Sequence, residues 1–210
     1  MTRTLFLPGA GGSATFWKPV ADRTRLEHVL LAWPGLGNEP AHSDVRGLDD
    51  LVLMVLRHMT QPVNIVAQSM GGLVALRAAL AAPTMVRRLV LAATSGGVPV
   101  ADLGGSAWQS EYYRTYPDAA PWIGTITEDL SSQLRFVAAP TLLLWGDHDP
   151  ISPVAVGERL HTLLPRAALR VIPGADHDLA QQHAELVASL IVQHCEAGDS
   201  SPRPDRSPLP

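Results

Sequence analysis

Three short stretches carry side chains that together could transfer an acyl group. In the first, the apolar run Val63-Asn64-Ile65-Val66 passes through Ala67-Gln68-Ser69-Met70-Gly71-Gly72 into the helical pattern Leu73-Val74-Ala75-Leu76. A serine between small residues at such a junction reads as a nucleophile elbow, a sharp strand-to-helix turn that projects the hydroxyl from the end of a sheet. Small residues are needed two positions before and after it, because the turn brings the two backbones together. Gly71 meets that need, and Ala67 stands where glycine is usual. Serine is a weak nucleophile at its own pKa, so Ser69 needs a base within hydrogen-bond reach and a third group to orient that base.

The other two stretches, Gly146-Asp147-His148-Asp149-Pro150 and Pro173-Gly174-Ala175-Asp176-His177-Asp178, offer those partners. Each follows a strand-like apolar run and so leaves the sheet at the carboxyl ends of its strands, where open parallel sheets place their sites. His177 alone of the eight histidines lies just past the last strand; His148 is its one competitor. Asp147 and Asp149 compete for the acid. Asp149 lies deeper in its loop, where a side chain can turn back across the sheet edge, while Asp147 suits capping of the loop by backbone hydrogen bonds. A developing oxyanion also needs donors. One is the Met70 N–H at a helix N-terminus, where free amides and the dipole favour negative charge. The second belongs to the loop Pro8-Gly9-Ala10-Gly11-Gly12-Ser13, whose glycines let backbone approach a ligand closely. That loop matches neither the phosphate-binding G-x-x-x-x-G-K-[ST] pattern nor the glycine spacing of a dinucleotide site.

The elements that must position these groups alternate between strand-like and helical runs, the pattern of an α/β fold with a mostly parallel sheet flanked by helices. Six strands are predicted at residues 4–7, 28–33, 63–68, 88–93, 141–145 and 169–172. They are short and almost unbroken in apolar character, as strands buried on both faces should be. Helical periodicity marks residues 48–59, 73–81, 154–164 and 179–195. Residues 98–138 break the rhythm: they hold Gly104, Gly105, Pro117 and Pro121 and gather Trp108, Tyr112, Tyr113, Tyr116 and Trp122. This predicts a short lid-like insertion, with Trp108 and Trp122 candidates for contact with substrate; the alternative is a packed surface excursion anchored by its aromatics. The domain is expected to span residues 1–196, with a disordered Pro/Ser-rich tail at 197–210.

Composition bounds the function classes. The 210 residues are 46% hydrophobic and 17% charged, the balance of one globular domain. A net charge of -4 gives no reason to expect nucleic acid as a partner. No apolar run is long enough to span a bilayer, and the start lacks a full signal-peptide pattern, so a cytoplasmic protein is expected. Cys195 is the only cysteine, which excludes an internal disulfide and a cysteine-based metal site.

The elbow at 67–72, the stretch Pro140-Thr141-Leu142-Leu143-Leu144-Trp145-Gly146-Asp147-His148-Asp149 and Gly174-Ala175-Asp176-His177 together resemble the α/β-hydrolase superfamily, in order and over nearly the whole chain up to about Cys195. The resemblance implies Ser69 as nucleophile, His177 as general base and then acid, and Asp149 as the orienting acid. It implies Met70 and Ala10 as backbone oxyanion donors, with Gly11 beside them at the substrate. Pro8 stands where the family usually has histidine, which leaves Gly11 as an alternative to Ala10. The insertion is shorter than the helical caps of many relatives, which implies an open or lightly covered pocket. Residues 7–17 are similar to the opening of type II thioesterases, whereas residues 142–153 are similar to small esterases and lactonases. The activity implied first is hydrolysis of a carboxylic ester or lactone, with a small acyl compound as partner and neither metal nor cofactor. The alternatives are acyl-thioester hydrolysis and a receptor-like binding protein with little turnover.

Overall fold

The computed structural model describes residues 2–198. Six strands, β1 (Thr4–Leu7), β2 (His28–Leu30), β3 (Val63–Gln68), β4 (Val86–Ala92), β5 (Thr141–Gly146) and β6 (Ala167–Ile172), form one sheet in the order β2-β1-β3-β4-β5-β6. Every neighbouring pair is parallel. Side chains of a strand point alternately to its two faces, and the four central strands use both. Leu5, Leu7, Ile65, Ala67, Leu89, Leu91, Leu143 and Trp145 enter one core. Phe6, Val66, Val90, Ala92, Leu142 and Leu144 enter the other. This two-sided burial explains the unbroken apolar runs in the sequence. On the first face pack α2 (Leu48–His58), α3 (Met70–Ala81) and α5 (Val154–Leu163); on the second pack α1 (Lys18–Thr24) and α7 (Ala184–Glu196).

The differences from the sequence expectations have local causes. The second strand stops at Leu30 rather than Trp33, because β1 ends at Leu7 and Pro8 has no N–H to continue the ladder. Helix α1 escapes notice because it has only seven residues, three of them buried, too few to display a period. The last helix is two pieces, α6 (Leu179–Gln182) and α7, separated at His183 (φ -118°, ψ 38°). Its buried residues keep helical phase across the break, so periodicity reads one helix.

Residues 98–138 contain no strand. They hold the single helix α4 (Gln109–Thr115) and short 3-10 turns, and Val98, Tyr112, Ile123, Leu130, Leu134 and Val137 join the first core. Five backbone or hydroxyl bonds tie the excursion to the loops at the sheet edge: Ser106 N–H to Pro150 O at 2.8 Å, Tyr112 Oη to Ala10 O at 2.8 Å, Gly37 N–H to Tyr112 Oη at 2.9 Å, Ala120 N–H to Gly35 O at 2.8 Å and Leu130 N–H to Gly97 O at 2.6 Å. Of the tail expected at 197–210, residues 199–210 lie outside the described residues. Among the described residues no helix is long and apolar enough to cross a membrane.

The opposite, amino-terminal end of the sheet is closed by α7. Buried Arg88 on β4 donates to His194 O at 3.2 Å and Ala197 O at 2.6 Å, the carbonyls that a helix end leaves unpaired. Cys195 lies on the buried face of the same helix, and burial pushes its thiol up to about 12. His194 Nε2 meets Pro140 O at 3.1 Å. Burial holds the His194 imidazole below its ordinary pKa, the Pro140 bond opposes that shift, and the Arg88 charge adds to it. The unfolded chain therefore binds a proton that the folded chain resists, so stability is lost as pH falls below the ordinary imidazole value of about 6.5. Urea unfolding at pH 7.5 and pH 5.5 should show His194→Gln gaining on the wild type at the lower pH.

Candidate active site

At the carboxyl edge of the sheet the β3–α3 junction turns on one residue. Ser69 has φ 52° and ψ -126°, a left-handed value that non-glycine residues rarely adopt. Its neighbours hold it there. Ser69 N–H donates to Ala92 O at 3.0 Å, and its carbonyl accepts from Gly72 N–H at 2.9 Å and from Thr94 Oγ1 at 2.5 Å. Gly71 faces the end of β1, and a Cβ there would run into the Pro8 carbonyl oxygen. Ala67 is fully buried with ordinary strand geometry, so the elbow accepts a methyl where glycine is usual.

The hydroxyl delivered by this turn is half-buried and lies 3.0 Å from His177 Nε2, and His177 Nδ1 lies 2.8 Å from Asp149 Oδ2. The Asp149 carboxylate is completely buried, while the His177 side chain is 18% exposed, which leaves the ring reachable from solvent. Asp149 Oδ1 accepts from the N–H groups of Ile151 at 2.8 Å and Ser152 at 3.0 Å. Three donors thus surround the buried charge, as a desolvated carboxylate requires. An acceptor-only carboxylate on Nδ1 assigns the proton to Nδ1 and leaves Nε2 as acceptor for the serine hydroxyl.

Asp147 takes the other task open to it. It is exposed, and its Oδ1 accepts from Gly174 N–H at 2.7 Å, lacing the acid loop to the histidine loop. His148 N–H donates to Ala175 O at 2.9 Å, and Gly146 lies so close to Ala175 that a Cβ would strike its carbonyl. Asp176 accepts from Asp178 N–H and Gln182 Nε2, both at 2.8 Å, and these bonds hold its carboxyl below the usual range. The side chain of His148 is solvent-exposed and takes no part in the chain of bonds from Ser69.

Met70 N–H opens α3, so it has no intrahelical acceptor. Ala10 and exposed Gly11 lie on the loop after β1, which the elbow touches through Gly71. Trp108 packs edge-on to Tyr112 at 5.4 Å, and Trp122 is half-buried with its Nε1 enclosed and without a partner among the described residues. Among the described residues no group of three His, Cys, Asp or Glu side chains comes together to hold a metal ion.

Three connecting residues were not evident from sequence. Gln68 is buried, and its Nε2 donates to His177 O at 3.4 Å. Thr94 binds the Ser69 carbonyl and accepts from Ser152 Oγ at 3.2 Å on its own carbonyl, joining the elbow to the acid loop. Tyr112 reaches Ala10 from the insertion. Only Tyr112 left a signal, the i, i+4 spacing of Trp108, Tyr112 and Tyr116.

A parallel sheet with a strained serine at the β3–α3 turn, an acid after β5 and a histidine after β6 defines a class of protein, and the comparisons agree. The profile of the Alpha/beta hydrolase family matches residues 4–190, and the chain belongs to that family. A pimeloyl-[acyl-carrier protein] methyl ester esterase of Neisseria meningitidis is 29% identical over an alignment that covers 82% of this chain and 86% of the esterase. The uncharacterized hydrolase YugF of Bacillus subtilis is 26% identical, covering 81% of this chain and 80% of its own. A crystal structure of a hydrolase from Pseudomonas aeruginosa superposes with a TM-score of 0.73 at 20% identity, covering 93% and 90% of the two chains, and shares the fold.

The packing of the elbow yields a stability prediction. Gly71→Ala should destabilise the protein by about 1–3 kcal/mol, because the methyl group is forced against backbone that cannot yield. Ala67→Gly should cost about 1 kcal/mol or less. Urea denaturation of both variants checks the order.

Proposed function

We propose that this protein hydrolyses carboxylic esters through an acyl-enzyme on Ser69. The observation that carries the reading is the unbroken chain Ser69 Oγ, His177 Nε2, His177 Nδ1 and Asp149 Oδ2, with steps of 3.0 and 2.8 Å. His177 takes the hydroxyl proton as Ser69 attacks the ester carbonyl, and gives it to the departing alcohol. In the second step it takes a proton from water, which attacks the acyl-enzyme, and returns that proton to Ser69 Oγ as the acyl–oxygen bond breaks and the acid leaves. Asp149 fixes the ring and stabilises the imidazolium. The N–H groups of Met70 and Ala10 receive the tetrahedral oxygen, where donors aimed at developing charge act most strongly. Each step uses groups of this chain and water, so no cofactor enters.

The relative's ester substrate supports an ester over a thioester. The insertion supports a fixed roof: it is bonded beside Asp149 at Pro150 and again at Ala10. Gly11, Trp108 and Trp122 are then the groups offered to the acyl chain at the roof's edge.

With p-nitrophenyl acetate, Ser69→Ala and His177→Ala should each lower kcat by about 10⁴–10⁶-fold, and the double variant little further, because the two act as one unit. Asp149→Asn should cost about 10²–10⁴-fold. Asp147→Asn keeps the oxygen that holds Gly174 and should stay near wild type. A fluorophosphonate should label Ser69, and mass spectrometry finding the adduct elsewhere would sink the assignment. Faster turnover of acyl-thioesters than of matched esters would replace the substrate class.

The acid loop supplies a further expectation. Ser152→Ala removes the hydroxyl bond to Thr94 O but keeps the N–H on Asp149. It should lower the melting temperature while leaving kcat within about tenfold, since the bond lost is a structural one. Thermal unfolding beside the ester assay reads both.

A further inference from the structure

Tyr112 on α4 joins three segments at one oxygen. Its hydroxyl donates to Ala10 O at 2.8 Å and accepts from Gly37 N–H at 2.9 Å. The ring is 8% exposed and packs against Trp108, Tyr113 and Tyr116 at centroid distances of 5.4, 5.4 and 5.1 Å. Both capacities of the hydroxyl are thus used, one on the loop after β1 and one on the segment after β2.

Four neighbouring carbonyls are tied down as well. Leu7 O accepts from Trp17 Nε1 at 2.8 Å and Pro8 O from Trp33 Nε1 at 2.8 Å. Gly9 O accepts from Gly12 N–H at 3.1 Å and Gly12 O from Trp33 N–H at 2.8 Å. In a trans peptide the carbonyl and the following N–H point in opposite directions, so a carbonyl held on one side fixes where the next amide points. Ala10 lies between two such planes. The turn bond from Gly12 holds the plane that contains the Ala10 N–H. Among the described residues only Tyr112 donates to the carbonyl of the plane that follows.

We propose that Tyr112 is a positioning residue for the oxyanion loop: by holding the Ala10 carbonyl, its hydroxyl fixes the Ala10–Gly11 peptide plane, and together with the Gly12 bond on the plane before it this locks both sides of Ala10, whose N–H faces the tetrahedral oxygen formed over Ser69. This rests on the reading of Ser69 as nucleophile. The roof then serves the reaction, because α4 sets the geometry of the loop that carries a donor. Burial raises the phenol above its ordinary pKa, so the hydroxyl remains a donor through the neutral and mildly alkaline range. Removing only the oxygen leaves Ala10 O and Gly37 N–H without their partner and frees the plane to rotate.

The test compares Tyr112→Phe with Tyr113→Phe. Tyr113 lies on the same helix, but its hydroxyl bonds to Pro121 O within the insertion. Tyr112→Phe should lower kcat on p-nitrophenyl acetate by about ten- to a hundredfold with KM within about threefold, the loss expected when a donor is displaced rather than deleted. Affinity for a trifluoromethyl ketone, which forms a tetrahedral adduct, should fall by the same factor. Hydrogen exchange of the peptide covering residues 7–13 should quicken in Tyr112→Phe alone. Wild-type kcat in Tyr112→Phe, a KM rise at constant kcat, unchanged exchange, or equal losses in both variants would each overturn the proposal. Full turnover by Ser69→Ala would instead overturn the nucleophile assignment, and the exchange comparison would still decide whether Tyr112 holds the loop.

Discussion

The left-handed backbone of Ser69 is the constraint from which the rest of the carboxyl edge follows. A non-glycine residue in such a conformation costs about 1–3 kcal/mol and persists only when its surroundings over-determine it. Here β4 fixes the amide through Ala92, Thr94 and Gly72 fix the carbonyl, and α3 begins at the next residue. The helix offsets the strain by burial, since Met70 to Leu76 are all buried. The same turn exposes the hydroxyl and brings the first helical amide beside it. One backbone torsion therefore sets out, side by side, the hydroxyl and the free amide that the proposed mechanism uses.

Asp149 and His177 are placed by a different kind of force. Asp149 is a buried charge, and such a charge is tolerable only when its oxygens are fully bonded. The two loop amides and His177 satisfy it, so any movement of the histidine away from the acid would leave that charge unpaired in the interior. Solvation thus enforces the geometry. Asp147 and Gly146 work from outside by keeping the two loops in contact.

The strands and the three site positions were legible because they rest on local chemistry. Two-sided burial writes itself as apolar runs, the elbow needs small residues, and a strand end followed by Asp or His is short-range information. That Asp149 rather than Asp147 meets His177 follows the same logic: depth in a loop separates a side chain that turns inward from one that caps. The contributions of Thr94, Gln68 and Tyr112 were not, because each bonds to backbone far away in sequence and backbone has no residue code. Tyr112 and Ala10 are 102 positions apart. Helix α1 and the break at His183 were hidden by length and by phase, and Pro8 shortened β2 only through its neighbour β1.

The sulfur on the buried face of α7 bears on how the molecule meets electrophiles. Cys195 is the chain's only thiol, and with its ionisation pushed up to about 12 it holds almost no thiolate at neutral pH. Thiol-directed alkylating agents therefore find little thiolate on this protein. With Ser69 as the proposed nucleophile, selectivity between thiol and hydroxyl then follows from the fold rather than from the choice of warhead.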